Sequence, residues 1–312
     1  MRYLKDLREG DIVSENYLCK TKQTLQTKAG KNYYSLLLQD KTGTFDGKVW
    51  DLNAGIEHFE AMDYIRVEGQ IVSFQGALQF NIRRIRKLAE GEYNPMEYMP
   101  ATKKDISVMY KELLGYIGEV KDVYLHQLLE SFFVEDKAFI KKFKMHSAAK
   151  NVHHGFIGGL LEHTVAVTRM CKYLAENYPL LDKDLLLTAA MFHDMGKVVE
   201  LSTFPENDYT DEGSLLGHIY IGTEMIGEHV AKIAGFPVKR KHELQHCILA
   251  HHGELEYGSP KKPALMEALA LSMADNLDAK LETMTELFEG TEEKGWLGFQ
   301  KWFDSNVRKT GK

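Results

Sequence analysis

Hydrophobic and polar positions change period near residue 90 of the 312-residue chain. Before it, apolar and β-branched residues come in short runs such as 33–39, 45–50, 64–74 and 77–88. Turn signals break them at Thr27-Lys28-Ala29-Gly30-Lys31, Lys41-Thr42-Gly43-Thr44 and Gln75-Gly76-Ala77. Runs of this length bounded by turn residues read as strands, whose successive side chains point to opposite faces. A short helical piece over 55–62 is expected between the third and fourth strands. Five strands with one helix between strands three and four is the order of an OB-fold, a small Greek-key barrel; an SH3-like barrel gives a similar pattern.

Residues 89–104 hold two of the seven prolines, few apolar positions and no period, and read as a linker. Beyond it the period is helical. Leu113, Ile117, Val120, Tyr124 and Leu128 recur at three to four residues, as do Ile157, Leu160, Leu161, Thr164, Val167, Cys171 and Leu174. Further helices are expected over 185–193, 219–233, 244–251 and 264–288. The fold class is therefore α+β multidomain: an OB-like five-stranded barrel over 1–88, the linker over 89–104, and an all-α domain over 105–312.

Composition narrows the function. A net charge of −6 excludes a uniformly basic coat, so any polyanion must be handled locally. Cys19, Cys171 and Cys247 lie far apart and form no CxxC pair, and read as reduced thiols. The first twelve residues alternate charged and apolar side chains without a signal-peptide core, and the apolar run 185–192 is too short to span a bilayer. A cytoplasmic protein without a membrane partner is expected. Of thirteen histidines, eleven fall between His146 and His252. Imidazole is a versatile metal ligand and proton carrier, so that clustering points to chemistry.

The clustered residues fall on separate helical segments. His163 lies mid-helix in GGLLEHTVAV, and His193 and Asp194 stand together at a helix end in MFHDMGK. His218 opens a helix in LLGHIYIG, His251 and His252 close one in ILAHHGE, and Asp275 is mid-helix in LSMADNLDA. His163 lies on the edge of an apolar stripe, His251 continues the Leu244/Ile248 face, and Asp275 follows Ala268 and Leu271. A carboxylate on such a face is costly to bury unless paired or metal-bound. Mixed imidazole and carboxylate donors suit a divalent cation such as Mn²⁺, provided the helices pack with these faces inward. Gly196 reads as a helix terminator that fixes His193 and Asp194 on a last turn.

The order H…HD…H…HH…D resembles that of the HD-domain superfamily of phosphohydrolases, whose HD-plus-glycine-lysine form is matched by HDMGK. The resemblance implies one metal on His163, His193, Asp194 and Asp275. It implies a second, in two-metal members, on His218 and His251, with His252 a weaker match and Asp194 bridging. It implies that Lys197 holds a phosphate. With the barrel and the segment HHGFIGGLLEHT included, nearly the whole chain is similar to the YhaM-type 3′–5′ exoribonucleases. That similarity implies Mn²⁺-favoured removal of 3′-terminal nucleotides. The segment GELEYGSPKKP resembles the HD-GYP cyclic-dinucleotide phosphodiesterases but lacks their Gly-Tyr-Pro triplet.

Bound cations neutralise phosphodiester oxygens and lower the pKa of a coordinated water. In this reading one or two ions bind, Asp194 bridging both where two are present, and Lys197 stabilises charge developing at phosphorus. His252 contacts a non-bridging oxygen or protonates the leaving sugar oxygen. His153 and His154 line a substrate entrance. On the barrel, alternation puts Lys48 and Trp50 on one face and Phe45 and Val49 on the other. The first pair, with Arg84 and Arg86 of the only dense basic run, is expected to meet single-stranded RNA and also single-stranded DNA. Trp296, Phe299, Trp302 and Phe303 form either an interface between identical chains or a flap packed back on the helical core. Two other readings are a phosphodiesterase or phosphatase acting on a small or cyclic nucleotide, and a non-catalytic nucleic-acid-binding factor.

Overall fold

The computed structural model describes residues 1–52, 55–150 and 154–311. The chain divides into two compact units, one built on Met1–Ala101 and the other on Thr102–Thr203 and Asn207–Lys312.

The first unit is a closed barrel of β1 (Ile12–Gln26), β2 (Asn32–Asp40), β3 (Gly43–Val49), β4 (Tyr64–Phe74) and β5 (Ala77–Lys87). Around the barrel the order is β1-β2-β3-β5-β4, with β4 returning to β1. All pairs are antiparallel except β3–β5, whose parallel contact (Gly47↔Phe80, Lys48↔Asn81) closes the cylinder. This is the OB-like order. The fifteen-residue β1 serves both β2 and β4 because a bulge between Cys19 and Thr21 bends it. Tyr17, Leu36, Leu38, Val49, Ile65, Val67, Ile71 and Phe80 fill the interior and are fully buried.

Two expectations change here. No helix forms over 55–62. Ile56 instead bridges in parallel to Ile85, and Phe59 is buried in the barrel core. One anchoring aromatic substitutes for a helical plug, and Gly55 and Met62, both at positive φ, bound the segment with non-helical backbone. The expected linker is largely packed. Tyr93 stacks on Tyr64 at 3.8 Å, Tyr98 is buried, and Gln39 Nε2 donates to the Tyr98 carbonyl at 3.1 Å.

The second unit contains, among the described residues, α1 (Ile106–Ile117), α2 (Val123–Glu130), α3 (Lys137–Met145), α4 (Gly159–Asn177), α5 (Lys183–Phe192), α6 (Lys197–Glu200), α7 (Asp211–Val230), α8 (Val238–Leu249) and α9 (Met266–Glu289). Asp105, Asp122, Asp136 and Asp182 cap α1, α2, α3 and α5 by accepting from backbone N–H groups of the first turn. Such caps satisfy donors that a helix start leaves open. Every residue from Leu185 to Phe192 is buried, so α5 is the central helix, with α4, α8 and α9 packed around it. Among the described residues, no helix is long and apolar enough to cross a membrane. Cys171 and Cys247 are buried free thiols here, as Cys19 is in the barrel.

The unit is not wholly helical. A hairpin of β6 (Trp296–Gln300) and β7 (Ser305–Arg308) follows α9. Of the four aromatics expected at an interface or in a flap, Trp296, Phe299 and Trp302 are exposed and Phe303 is half-buried.

Candidate metal centre

The site forms where the ends and middles of five helices meet, and small residues set the approach. Gly158, at positive φ, and Gly159 turn the chain into α4; a Cβ on Gly159 would overlap the His154 carbonyl. His154 therefore lies against the start of the helix that carries His163. Gly196 is right-handed (φ −62°) and is no left-handed terminator. Its missing side chain matters for another reason: a Cβ would overlap the His218 carbonyl and the Gly222 nitrogen. That contact presses the turn after α5 onto α7. Within α7 the non-helical Gly217 (φ 74°) makes His218 the start of a fresh helical segment.

Each imidazole is oriented from behind. Nδ1 of His193 bonds the Ala190 carbonyl at 2.8 Å, and Nδ1 of His251 bonds the Ile248 carbonyl at 2.7 Å. Nδ1 of His252 bonds the Tyr257 carbonyl at 2.8 Å. A carbonyl can only accept, so in all three the proton is on Nδ1 and the Nε2 lone pair faces inward. Carboxylates do the same for the other two: Asp278 Oδ2 lies 2.7 Å from His163 Nδ1, and Glu200 Oε1 lies 3.0 Å from His218 Nδ1. Such partners fix tautomer and ring direction in metal-binding histidines.

The inward atoms converge. His163 Nε2 is 3.1 Å from His193 Nε2, 3.1 Å from Asp275 Oδ1 and 3.4 Å from Asp194 Oδ2. The other oxygen of Asp194, Oδ1, is 3.4 Å from His218 Nε2 and 3.7 Å from His251 Nε2. Adjacent ligands of a six-coordinate ion with bonds of about 2.1 Å are separated by about 3 Å, close to these spacings. His163, His193 and Asp275 form one ligand-capable group and His218, His251 and His252 another, with Asp194 presenting one oxygen to each side. Asp194 Oδ1, His218 Nε2 and His251 Nε2 are buried and make no hydrogen bond within the protein. Buried polar atoms are almost always satisfied, and three lone-pair donors turned toward one another suit a cation. The residues therefore fit a divalent metal.

Electrostatics agree with a cation-seeking site. Burial pushes the His163 imidazole down, but Asp275 and Asp278 overcome it and raise the group to about 10. Burial dominates for His193 and His252, each lowered to about 4. Burial would raise Asp194; Lys197 and the surrounding histidines outweigh it and hold the carboxyl well below its usual range. Lys197 Nζ bonds Asp194 Oδ2 at 2.7 Å; burial disfavours the ammonium, but that carboxylate keeps its pKa raised.

Other expected positions fall elsewhere. His154 does not line an open entrance: it is 2% exposed, and its Nε2 is 3.1 Å from Asp278 Oδ2. His153 lies outside the described residues. On the barrel, Trp50 is 41% exposed and stacks on Tyr33 at 4.5 Å. Lys48 is engaged by Asp46 (2.6 Å) and Ser35 (2.8 Å), and Arg86 is bidentate to Glu92 at 2.9 Å, so neither cation is uncommitted. Arg84 is more open, with Glu68 at 3.8 Å. Trp50, Arg66, Arg84 and Arg86 flank a groove of about 880 Å³ on the barrel. Sequence reasoning missed Asp278 and Glu200. Each lies three residues after a residue it did single out, Asp275 and Lys197, and that spacing on a helix was the available signal.

Residues 160–280 match the family model described as HD domain, so an HD-domain region is present. Among solved structures, the chain is similar to the second OB-fold domain of replication protein A from Methanococcus maripaludis. That match has 20% identity, 30% of this chain and 98% of that one covered, and a TM-score of 0.24. It is similar to the p204 HINb domain (21% identity, 27% and 42% covered, TM-score 0.22). It is also similar to a replication protein A heterotrimer bound to ssDNA (18% identity, 28% and 65% covered, TM-score 0.22). The barrel assignment rests on strand order.

Proposed function

We propose that the protein is a metal-dependent phosphodiesterase that removes nucleotides from the 3′ end of single-stranded RNA, and of single-stranded DNA as a second substrate. The observation that carries the reading is the split of Asp194, one oxygen toward His163 and His193 and the other toward His218 and His251, amid buried lone pairs without partners. An HD-domain region around that centre and an OB-like barrel with an aromatic and basic groove support it.

His163, His193, Asp194 and Asp275 would hold one ion, and Asp194, His218 and His251 a second. Their mixed nitrogen and oxygen donors suit Mn²⁺. When bound, such ions supply charge neutralisation at phosphoryl oxygens and acidify a water. The chain's own groups do the rest. Lys197 places an ammonium beside Asp194, where it meets negative charge that builds on the phosphoryl oxygens. Water attacks phosphorus, the bond to the preceding 3′ oxygen breaks, and that oxygen ends with the proton the water gives up as a nucleoside 5′-monophosphate leaves. His252, with its proton held by the Tyr257 carbonyl, offers a lone pair at Nε2. It therefore serves as ligand or proton acceptor rather than as donor to the leaving oxygen. Asp278 and Glu200 keep His163 and His218 in register. On the barrel, Trp50 and Arg84 would take a base and a phosphate.

The test incubates 3′-labelled and 5′-labelled single strands with Mn²⁺ and with EDTA. Mononucleotides released from the 3′ end, lost with EDTA and with Asp194→Ala, support the reading. Turnover of small or cyclic nucleotides but not strands, or tight binding without turnover, overturns it.

A further inference from the structure

The metal centre opens into a cleft of about 480 Å³ that runs past Lys197 and His252 to two aromatic residues, Tyr257 and Trp302. Cavities of this size hold small ligands. Both rings are largely exposed, Tyr257 at 69% and Trp302 at 72%. Trp302 occupies the turn of the C-terminal hairpin, and that turn is fixed. Phe303 N donates to the Gln300 carbonyl at 3.0 Å, Val307 is buried, and Lys309 N donates to the Gly295 carbonyl at 2.8 Å. The hairpin therefore presents a large aromatic surface to water at the mouth of a charged cleft. Asn276, exposed on α9 one residue beyond Asp275, adds an amide to the same wall.

We infer that Trp302 is the stacking platform for the nucleobase of the terminal nucleotide, with Tyr257 as a second apolar wall. The inference rests on the nuclease reading above and deepens it. The floor of the cleft is built for a phosphoryl group and its rim for a flat π-face, and a nucleotide joins those two chemistries. Stacking accepts every base, because each has a π-face. The seat would therefore favour a base over no base without selecting among the four. Trp302 is a substrate-positioning residue, and its loss weakens capture of the strand end more than the chemical step.

Two measurements test this. In the first, KM and kcat are compared for Mn²⁺-loaded protein on an RNA strand with an ordinary 3′ terminus and on one whose terminal residue lacks its base. Trp302→Ala is expected to raise KM about tenfold on the ordinary strand, to change it little on the abasic strand, and to leave kcat within about twofold. Trp302→Phe should restore most of the loss. Equal KM for wild type and Trp302→Ala on the ordinary strand would overturn the inference while leaving the nuclease reading intact. In the second, Trp50→Phe and Trp296→Phe leave Trp302 as the sole indole. Its fluorescence should be quenched by adenosine monophosphate and not by ribose 5-phosphate. Quenching in a protein that cuts no strand would retain the base seat and remove the exonuclease reading; equal response to both probes, or to neither, would remove the seat.

Discussion

Asp278 and His163 meet at 2.7 Å, carboxylate oxygen to Nδ1, across the packed faces of α9 and α4. That contact sets the direction of the ring and turns Nε2 toward Asp275, Asp194 and His193. The same carboxylate oxygen reaches His154 at 3.1 Å, so Asp278 ties the residues before α4 to the candidate ligand on α4. Asp278 is thus a positioning residue, and its removal should be felt through the metal.

Asp278→Asn keeps the size of the side chain and removes the charge behind His163. Partners of this kind are typically worth 10- to 100-fold in metal affinity. The expected outcome is a Mn²⁺ affinity lowered by about that factor in a calorimetric titration, together with a lower thermal midpoint of the metal-free protein, because the buried His163 loses a charged partner. An unaltered affinity would show that His163 does not depend on this carboxylate.

Gly196→Ala places a methyl group against the His218 carbonyl and the Gly222 nitrogen, both backbone atoms that cannot rotate away. Overpacking of this sort costs about 1–3 kcal/mol. The denaturant midpoint of the helical unit should fall accordingly, and Mn²⁺ affinity with it, because the strain displaces α7 and hence His218.

Ion binding should stabilise the fold independently of turnover. At a free concentration one hundred times the dissociation constant, a ligand specific for the native state adds about 2.7 kcal/mol, or roughly 5 to 10 °C in the midpoint of a domain of this size. Mn²⁺ should produce that shift, EDTA should reverse it, and Asp194→Ala should abolish it. A midpoint indifferent to Mn²⁺ would mean that the converging donors do not bind the ion.

Much of the architecture is legible in the residues, because burial leaves a periodic trace. The switch from alternating strands to three-to-four spacing separates the barrel from the helices. The apolar run 185–192 is the central helix α5, with no polar face because all its sides are packed. The candidate ligands could be read for a related reason: His193-Asp194 and Asp275 are costly polar residues on apolar faces, visible without a partner. Asp278 and Glu200 are different. Each looks like an ordinary helix carboxylate until the tertiary fold brings a histidine to it, so only their spacing from Asp275 and Lys197 gave a hint. The segment 55–62 misleads because Phe59 is anchored by the barrel interior, a tertiary contact that overrides local helical pattern. Gly196 misleads because a glycine needed for close approach and one needed for left-handed backbone look alike in a sequence.

Nucleic-acid contact by the barrel should divide into two kinds. In an Asp194→Ala background that prevents cleavage, Arg84→Ala should weaken strand binding and take about one unit off the slope of log affinity against log salt. Trp50→Ala should cost about 1–3 kcal/mol with the slope unchanged. Binding measured across a salt series checks both, and identical slopes in all three proteins would exclude Arg84 as a phosphate contact.

The proposed activity requires cations bound on both sides of Asp194. Crystals grown with Mn²⁺ and measured at its absorption edge read this directly. Two anomalous peaks are expected, one among His163, His193, Asp194 and Asp275 and one among Asp194, His218 and His251. A map with no peak bonded to either Asp194 oxygen, at full Mn²⁺ and neutral pH, would contradict it.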